Sequence, residues 1–260
     1  MKKSLIALAL VGAFAAPAFA EDAPAPAPAP ALTGNIGVVS NYVFRGISQS
    51  QNKPALQGGF DYAHESGLYV GFWGSNIGWV SAPGNDYKAN NSLETDFYGG
   101  YKGSFADDFT FDVGAIKYYY PGSAVSGKPT PDTIEGYAAI GWKFLTLKYS
   151  HTLSQYMVAW TGPNGENTRN SNYLDLSANY DLGDGWGINA HVGHQEIKNF
   201  SLASYTDWKL GVTKDIGFGV VGLAYSDTDA NGCKSASRAY CWNNKDVAKA
   251  AAILSFTKTF

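Results

Sequence analysis

The chain has 260 residues, 45% of them apolar, 15% aromatic and only 16% charged, with a formal charge of -3; soluble domains carry about 25% charged residues. No basic cluster appears, which excludes nucleic acid as a partner, and the apolar content excludes intrinsic disorder. Thirty Gly, 17 Tyr, 14 Phe and 7 Trp against two Met point to many short strands and turns and exclude a helical bundle.

Met1 to Ala20 begins with Lys2 and Lys3, runs through an apolar stretch from Leu5 to Phe14 and places Ala18 and Ala20 around Phe19. Residues 1–20 read as a secretory signal peptide cut after Ala20. The apolar stretch is about half the ~20 residues that a transmembrane helix needs. Residues 21–31 alternate Ala with Pro24, Pro26, Pro28 and Pro30. Fixed φ and missing amide donors favour extended polyproline II there, so this is a periplasmic spacer rather than fold.

From Leu32 to Phe260 the hydrophobic period is two, the signature of strands with one apolar face. Ile36, Val38, Tyr42 and Phe44 alternate with Asn35, Asn41 and Arg45; Leu56, Phe60 and Tyr62 with Gln57 and Asp61; Leu68, Val70 and Phe72 with Tyr69 and Trp73. Leu93, Thr95, Phe97 and Tyr101 oppose Glu94, Asp96 and Tyr98; Phe109, Phe111 and Val113 oppose Asp112; Ile134, Ala138 and Ile140 oppose Glu135 and Tyr137. Leu145, Leu147 and Tyr149 oppose Lys148; Leu174 and Leu176 oppose Asp175; Trp186, Ile188 and Val192 oppose His191; Trp208, Leu210 and Val212 oppose Asp207 and Lys209. Phe218 to Tyr225 is Gly-rich and apolar on both faces, where a bulge is expected. The twelfth segment ends the chain with Leu254, Phe256 and Phe260 on one face.

Short links (His64 to Gly67, Gly103 to Asp108, Trp142 to Phe144, Gly183 to Gly185, Lys214 to Ile216) alternate with long polar ones such as Ile77 to Ser92, Pro121 to Asp132, Gln155 to Asn172 and Asp227 to Asn244. This is the asymmetry of an all-β, transmembrane antiparallel up-and-down barrel of about twelve strands, with short periplasmic turns and long extracellular loops. A secreted sandwich also alternates. Against it stand the uncharged middles of the apolar faces, where a mid-bilayer charge costs about 2–4 kcal/mol. The expected place is the outer membrane of a Gram-negative bacterium, with lipid as the first partner and assembly by the barrel-assembly machinery through Phe260.

The run Asn35 to Ser50, followed by Pro54, Gln57-Gly58-Gly59, Asp61-Tyr62 and Ser66 to Val70-Gly71, with Tyr119-Tyr120-Pro121-Gly122 and the closing Ser255 to Phe260, resembles the TorF-type family of porin-like outer-membrane proteins of proteobacteria. The resemblance spans the barrel and implies a pore-like barrel, with no established substrate or binding residues to carry over. Lys258 stands where such endings commonly have an apolar residue; near the periplasmic rim a Lys snorkels.

Chemistry other than a pore finds little support. Ser150 and His151 are adjacent on one strand and point to opposite faces, and His191 and His194 diverge in the same way. His64 has no partner motif, and no nucleophile-elbow signature occurs. Asp227, Asp229, Asn231 and Gly232 match the first half of a calcium loop, but the twelfth position is Arg238 where a bidentate Glu belongs, so a turn is expected. Cys233 and Cys241 lie in the last long loop of an exported chain without the further His or Cys that zinc requires, which predicts a disulfide. No cofactor and no metal are expected.

The polar face carries the functional expectation. Arg45, Lys148 and Lys209 stand against Asp61, Glu94, Asp96, Asp112, Glu135, Asp175 and Asp207, three cations against seven carboxylates. Tyr69, Trp73, Tyr98, Tyr118, Tyr120, Tyr137 and Tyr173 share that face, either narrowing a pore or filling a small barrel. Charges excluded from lipid line a wet lumen and set its ion preference. The expectation is a passive channel for small hydrophilic solutes, weakly cation-preferring. A closed structural or adhesin-type barrel acting through its loops is the alternative, and an enzyme is the least favoured reading.

Overall fold

The computed structural model describes residues 32–80 and 92–260; the expected signal peptide and spacer lie outside the described residues. In chain order the strands are β1 (Leu32–Val39), β2 (Val43–Phe44), β3 (Ile47–Ser48), β4 (Ala55–Ala63), β5 (Leu68–Asn76), β6 (Leu93–Phe105), β7 (Phe109–Tyr119) and β8 (Thr133–Trp142). They continue with β9 (Leu145–Thr152), β10 (Asn172–Gly183), β11 (Trp186–Glu196), β12 (Tyr205–Asp215), β13 (Val220–Thr228), β14 (Cys241–Trp242), β15 (Lys245–Asp246) and β16 (Ala251–Thr259). Twelve of them form a closed barrel, all neighbours antiparallel, with β1 completing the circle between β4 and β16. Closure pairs the backbone donors and acceptors that an open sheet edge would leave bare, which hydrocarbon does not tolerate.

The period-two reading sets the outer surface. Leu56, Leu68, Val70, Leu210 and Leu254 are each more than half exposed, whereas burying such a side chain is worth about 1.5–3 kcal/mol in water. A continuous belt of this kind is stable against lipid, and it identifies the barrel as a membrane-spanning one. All short links gather at one rim and all long links at the other.

Two local expectations are corrected. The first segment does not run on to Arg45: β1 stops at Val39, and β2 and β3 form a separate hairpin. The Asn41 side chain accepts from the Ser48 hydroxyl at 2.6 Å and the Ser50 hydroxyl at 3.2 Å, turning the chain inward. The bulge expected between Phe218 and Tyr225 is not there; β13 pairs in regular register with β12 and β16, with Leu223 and Tyr225 facing out. The register shift falls instead at Asp181/Gly183, where β10 meets the short turn into β11.

The packed core lies inside the long-loop half of the barrel. One cluster joins Val39, Tyr42, Trp73, Trp79, Tyr118, Tyr120 and Ile253; a second joins Ile47, Met157, Ile197, Tyr205, Tyr240 and Val247. Tyr120, Trp79, Trp242, Tyr240, Trp160 and Phe200 continue from ring to ring at centroid distances of 5.1 to 6.0 Å, tying the long loops to one another.

Candidate functional site in the barrel lumen

Alternation puts Asp61, Glu94, Asp96, Asp112, Glu135, Lys148, Asp175, Asp207 and Lys209 on the buried or half-buried face of their strands, with Tyr69, Trp73 and Tyr98 among them. Their chain neighbours face outward. The rings do not stand free in the lumen. Tyr98 lies over Gly71, Tyr69 over Gly100, Tyr137 over Gly114 and Tyr173 over Gly193, each so close that a Cβ at the glycine would strike the ring. The glycines on the inward face therefore make room for the tyrosines to lie along the wall.

Laid down in this way, the tyrosines deliver their hydroxyls to carboxylates. Tyr98 donates to Asp61 at 2.5 Å, Tyr69 to Asp112 at 2.6 Å and Tyr173 to Asp207 at 2.9 Å, while the Tyr69 and Tyr137 hydroxyls touch. The Lys148 ammonium rests 4.0 Å from the Tyr137 ring centre. Asp175 lies across from Lys148 in register but meets His191, whose Nδ1 is 3.1 Å away; His191 Nε2 stands 3.5 Å from Asp207. Lys209 lies across from His191.

Arg45 reaches the lumen by a route that the strand reading did not anticipate. It and Gly46 form the turn of the β2–β3 hairpin, both with positive φ (47° and 74°), the geometry of a type I′ turn. Gly46 is needed twice over, because a Cβ there would lie 2.5 Å from the Asp207 Cβ on the far wall. The hairpin crosses the barrel: Tyr42 donates to Glu94 on β6 at 2.6 Å, and Arg45 reaches Glu135 on β8 and Gln195 on β11. Nη1–Oε1 and Nη2–Oε2 of the Arg45–Glu135 pair are 3.0 and 2.7 Å, and Nη1 donates to Gln195 Oε1 at 2.9 Å. The guanidinium carbon lies 4.4 Å from the Tyr173 ring centre and 4.8 Å from that of Phe44. Burial works against this cation, and Glu135 together with the Tyr118 and Tyr173 hydroxyls more than offsets it, so the Arg45 pKa is raised from its ordinary value.

Among the described residues the hairpin leaves little space at this level. Glu135 and Asp207 are 0% exposed, and a cavity of about 40 Å³ lies between the hairpin, Trp160, Tyr205 and Tyr240, room for a few waters rather than a solute. The outer loops hold the hairpin from above: Ser48 N donates to Val247 O at 2.8 Å and Asn52 Nδ2 to Asp246 O at 3.1 Å. Cys233 and Cys241 are bonded as expected, and Arg238 braces the same loop by donating to Cys233 O at 3.1 Å and Asn244 Oδ1 at 3.1 Å. Asp227 accepts from the adjacent Thr228 amide at 2.9 Å, and Asp229 accepts across strands from the Thr206 amide at 2.7 Å.

Three participants escaped the sequence reading. Tyr42 was placed on the outward face. Gln195 was passed over, although it shares the alternation of His191. Lys102 stands two residues beyond Gly100 on the inward set, across from Asp112, with its ammonium 5.2 Å from the Tyr69 ring centre.

This architecture is that of known outer-membrane porins. The KdgM porin matches with a TM-score of 0.53 at 6% identity, over 88% of this chain and 98% of that one; a KdgM structure in complex with disordered oligogalacturonate gives 0.52, also at 6% identity and over the same shares. The NanC porin matches at 0.55 and 13% identity, over 88% of this chain and 99% of that one. No curated protein sequence matches. One family model aligns with residues 23–260, and over that range the chain belongs to the Gcw_chp family, described as a bacterial protein of unknown function.

Proposed function

We propose that this protein is an outer-membrane channel for passive diffusion of small hydrophilic solutes or ions, weakly cation-preferring and narrowed by its own first loop. The carrying observation is the contrast between a lipid-compatible outer belt and an inner wall of carboxylates, lysines and tyrosine hydroxyls bonded across strands. Polar groups in such number inside a twelve-stranded wall suit a water path better than a dry core. The porin folds of KdgM and NanC and the TorF-type resemblance point the same way. On this reading residues 1–20 are removed on export, residues 21–31 form a periplasmic spacer, and Phe260 is read by the assembly machinery.

Solutes pass when the Val43–Ser48 hairpin shifts from the wall. The second reading, a closed barrel acting through its loops, is favoured by one observation, the complete burial of Glu135 and Asp207 beneath the hairpin. Planar-bilayer recording separates the two. Unitary current steps that grow in Arg45→Ala support the channel; no steps from either protein, with the barrel folded, overturn it.

A further inference from the structure

We infer that the wall cradle around Arg45 is a recognition site for guanidinium-bearing cationic solutes, occupied in the closed lumen by the protein's own side chain. The inference rests on the channel reading only for the route by which a solute arrives. Three strands build the cradle. Glu135 on β8 gives both carboxylate oxygens, at 3.0 and 2.7 Å; Gln195 on β11 gives Oε1 at 2.9 Å; and the Tyr173 ring on β10 lies 4.4 Å from the guanidinium carbon. A bidentate carboxylate, an amide oxygen acceptor and a ring face together match a planar guanidinium, and match a compact ammonium or a hydrated alkali ion poorly.

Each part of the cradle is held without help from Arg45. Gln195 Nε2 donates to Asn172 O at 2.8 Å and Glu196 O at 3.2 Å, which turns Oε1 toward the lumen. The Tyr173 hydroxyl is anchored on Asp207 at 2.9 Å with its ring over Gly193, and the Tyr118 hydroxyl reaches Glu135 Oε2 at 3.3 Å. The receptor thus stays formed when the hairpin withdraws, so that little ordering opposes a new occupant. Withdrawal also leaves the Glu135 carboxylate, 0% exposed while the hairpin is seated, without its cation, a state that the next cation to enter relieves.

The test uses the full folded barrel in detergent as wild type, Arg45→Ala, and Arg45→Ala combined with Glu135→Gln. Millimolar methylguanidinium is titrated calorimetrically, with tetramethylammonium as a control of equal charge. Arg45→Ala is expected to bind methylguanidinium at least tenfold more tightly than tetramethylammonium and tenfold more tightly than wild type does, with the preference lost in the double variant. Equal affinity for the two cations, or a preference that survives Glu135→Gln, overturns the assignment. If Arg45→Ala lacks the heat-modifiable mobility of a folded barrel, Arg45→Lys keeps the charge without the fork and is read by the same outcomes. Methylguanidinium binding without conductance in any variant sinks the channel reading and leaves the site standing; conductance without that binding does the reverse.

Discussion

Arg45 and Glu135 meet side-on across the barrel, two N–O contacts of 3.0 and 2.7 Å between side chains only 8% and 1% exposed. A pair this deep ties a mobile kind of element, a loop hairpin, to a rigid one, a wall strand. Its rupture is costly in one direction: removing one partner strands the other charge, typically at about 3–5 kcal/mol, whereas replacing both by apolar groups is often near neutral. Glu135→Leu is therefore expected to lower the urea or thermal stability of the folded barrel by about that amount, and Arg45→Met with Glu135→Leu to recover most of it. A double variant no more stable than Glu135→Leu alone would show that the pair does not hold the hairpin.

The glycine beneath Tyr173 sets the position of one cradle wall. A Cβ at Gly193 would collide with the Tyr173 ring, so Gly193→Val is expected to cost about 1–3 kcal/mol through overpacking and to raise any open-channel current by loosening the hairpin. Gly74→Val is the control, since it faces outward and its nearest neighbour to a Cβ is the Glu94 carbonyl oxygen at 3.2 Å. Equal effects of the two on current would remove the link between Tyr173 and the hairpin.

The disulfide acts on a loop and not on the wall. Closing Cys233 to Cys241, eight residues apart, restricts the unfolded loop by roughly 2–3 kcal/mol in the entropy model. Cys233→Ser with Cys241→Ser is expected to keep the heat-modifiable mobility of the barrel and to make residues 229–250 more readily cleaved by protease in intact cells. Labelling of both thiols in wild-type protein taken from the envelope without reductant would contradict the bond itself.

Phe260 closes the seam. Its backbone N and O exchange hydrogen bonds with Gly34 at 2.9 and 2.8 Å, and its ring meets Phe60 edge-on with centroids 6.5 Å apart. Deleting Phe260 is expected to lower outer-membrane levels several-fold as judged by immunoblot of heated and unheated membranes. Unchanged levels and mobility would separate the terminal ring from assembly.

The wall was legible in the sequence because lipid enforces a period of two: Leu56, Phe60, Leu68 and Val70 advertise their face whatever the rest of the chain does. The hairpin was not legible, because Tyr42 and Phe44 continue in step with Ile36 and Val38 after β1 has ended. Local Asn41–Ser48 and Asn41–Ser50 bonds shape the turn, but what seats the hairpin in the lumen is a set of partners 52, 90 and 150 residues away, Glu94, Glu135 and Gln195, and local pattern carries no such information. The Arg45-Gly46 turn was the one available signal, since positive φ at two successive residues suits a tight hairpin better than a strand. Lys102 and Gln195 were readable from alternation alone. The bulge went to the wrong segment because glycine content suggested it, whereas Asp181 to Gly183 adjoin a tight turn where an irregularity sits at little cost.

Ion preference is the sharpest test of the lumen assignment. Seven carboxylates face inward, and Lys102 joins Arg45, Lys148 and Lys209, so the imbalance is smaller than the expected set alone gives. Arg45 is spent on Glu135, and His191 stands between Asp175 and Asp207. Asp61 and Asp112 accept from tyrosine hydroxyls on neighbouring parts of the wall and Glu94 from Tyr42 beside the hairpin, which orients a carboxylate without cancelling its charge. The remaining negative field is thus concentrated on β4, β6 and β7, one side of the barrel, where low-dielectric walls focus it. A KCl gradient at about 0.1 M, where screening reaches ~10 Å, is expected to give a cation-selective reversal potential that shrinks toward 1 M as screening shortens to ~3 Å. Asp96→Asn with Asp112→Asn removes two charges from that side and should move the low-salt potential toward zero. Anion selectivity in wild type, or no shift in the double variant, would take these carboxylates out of the conducting path.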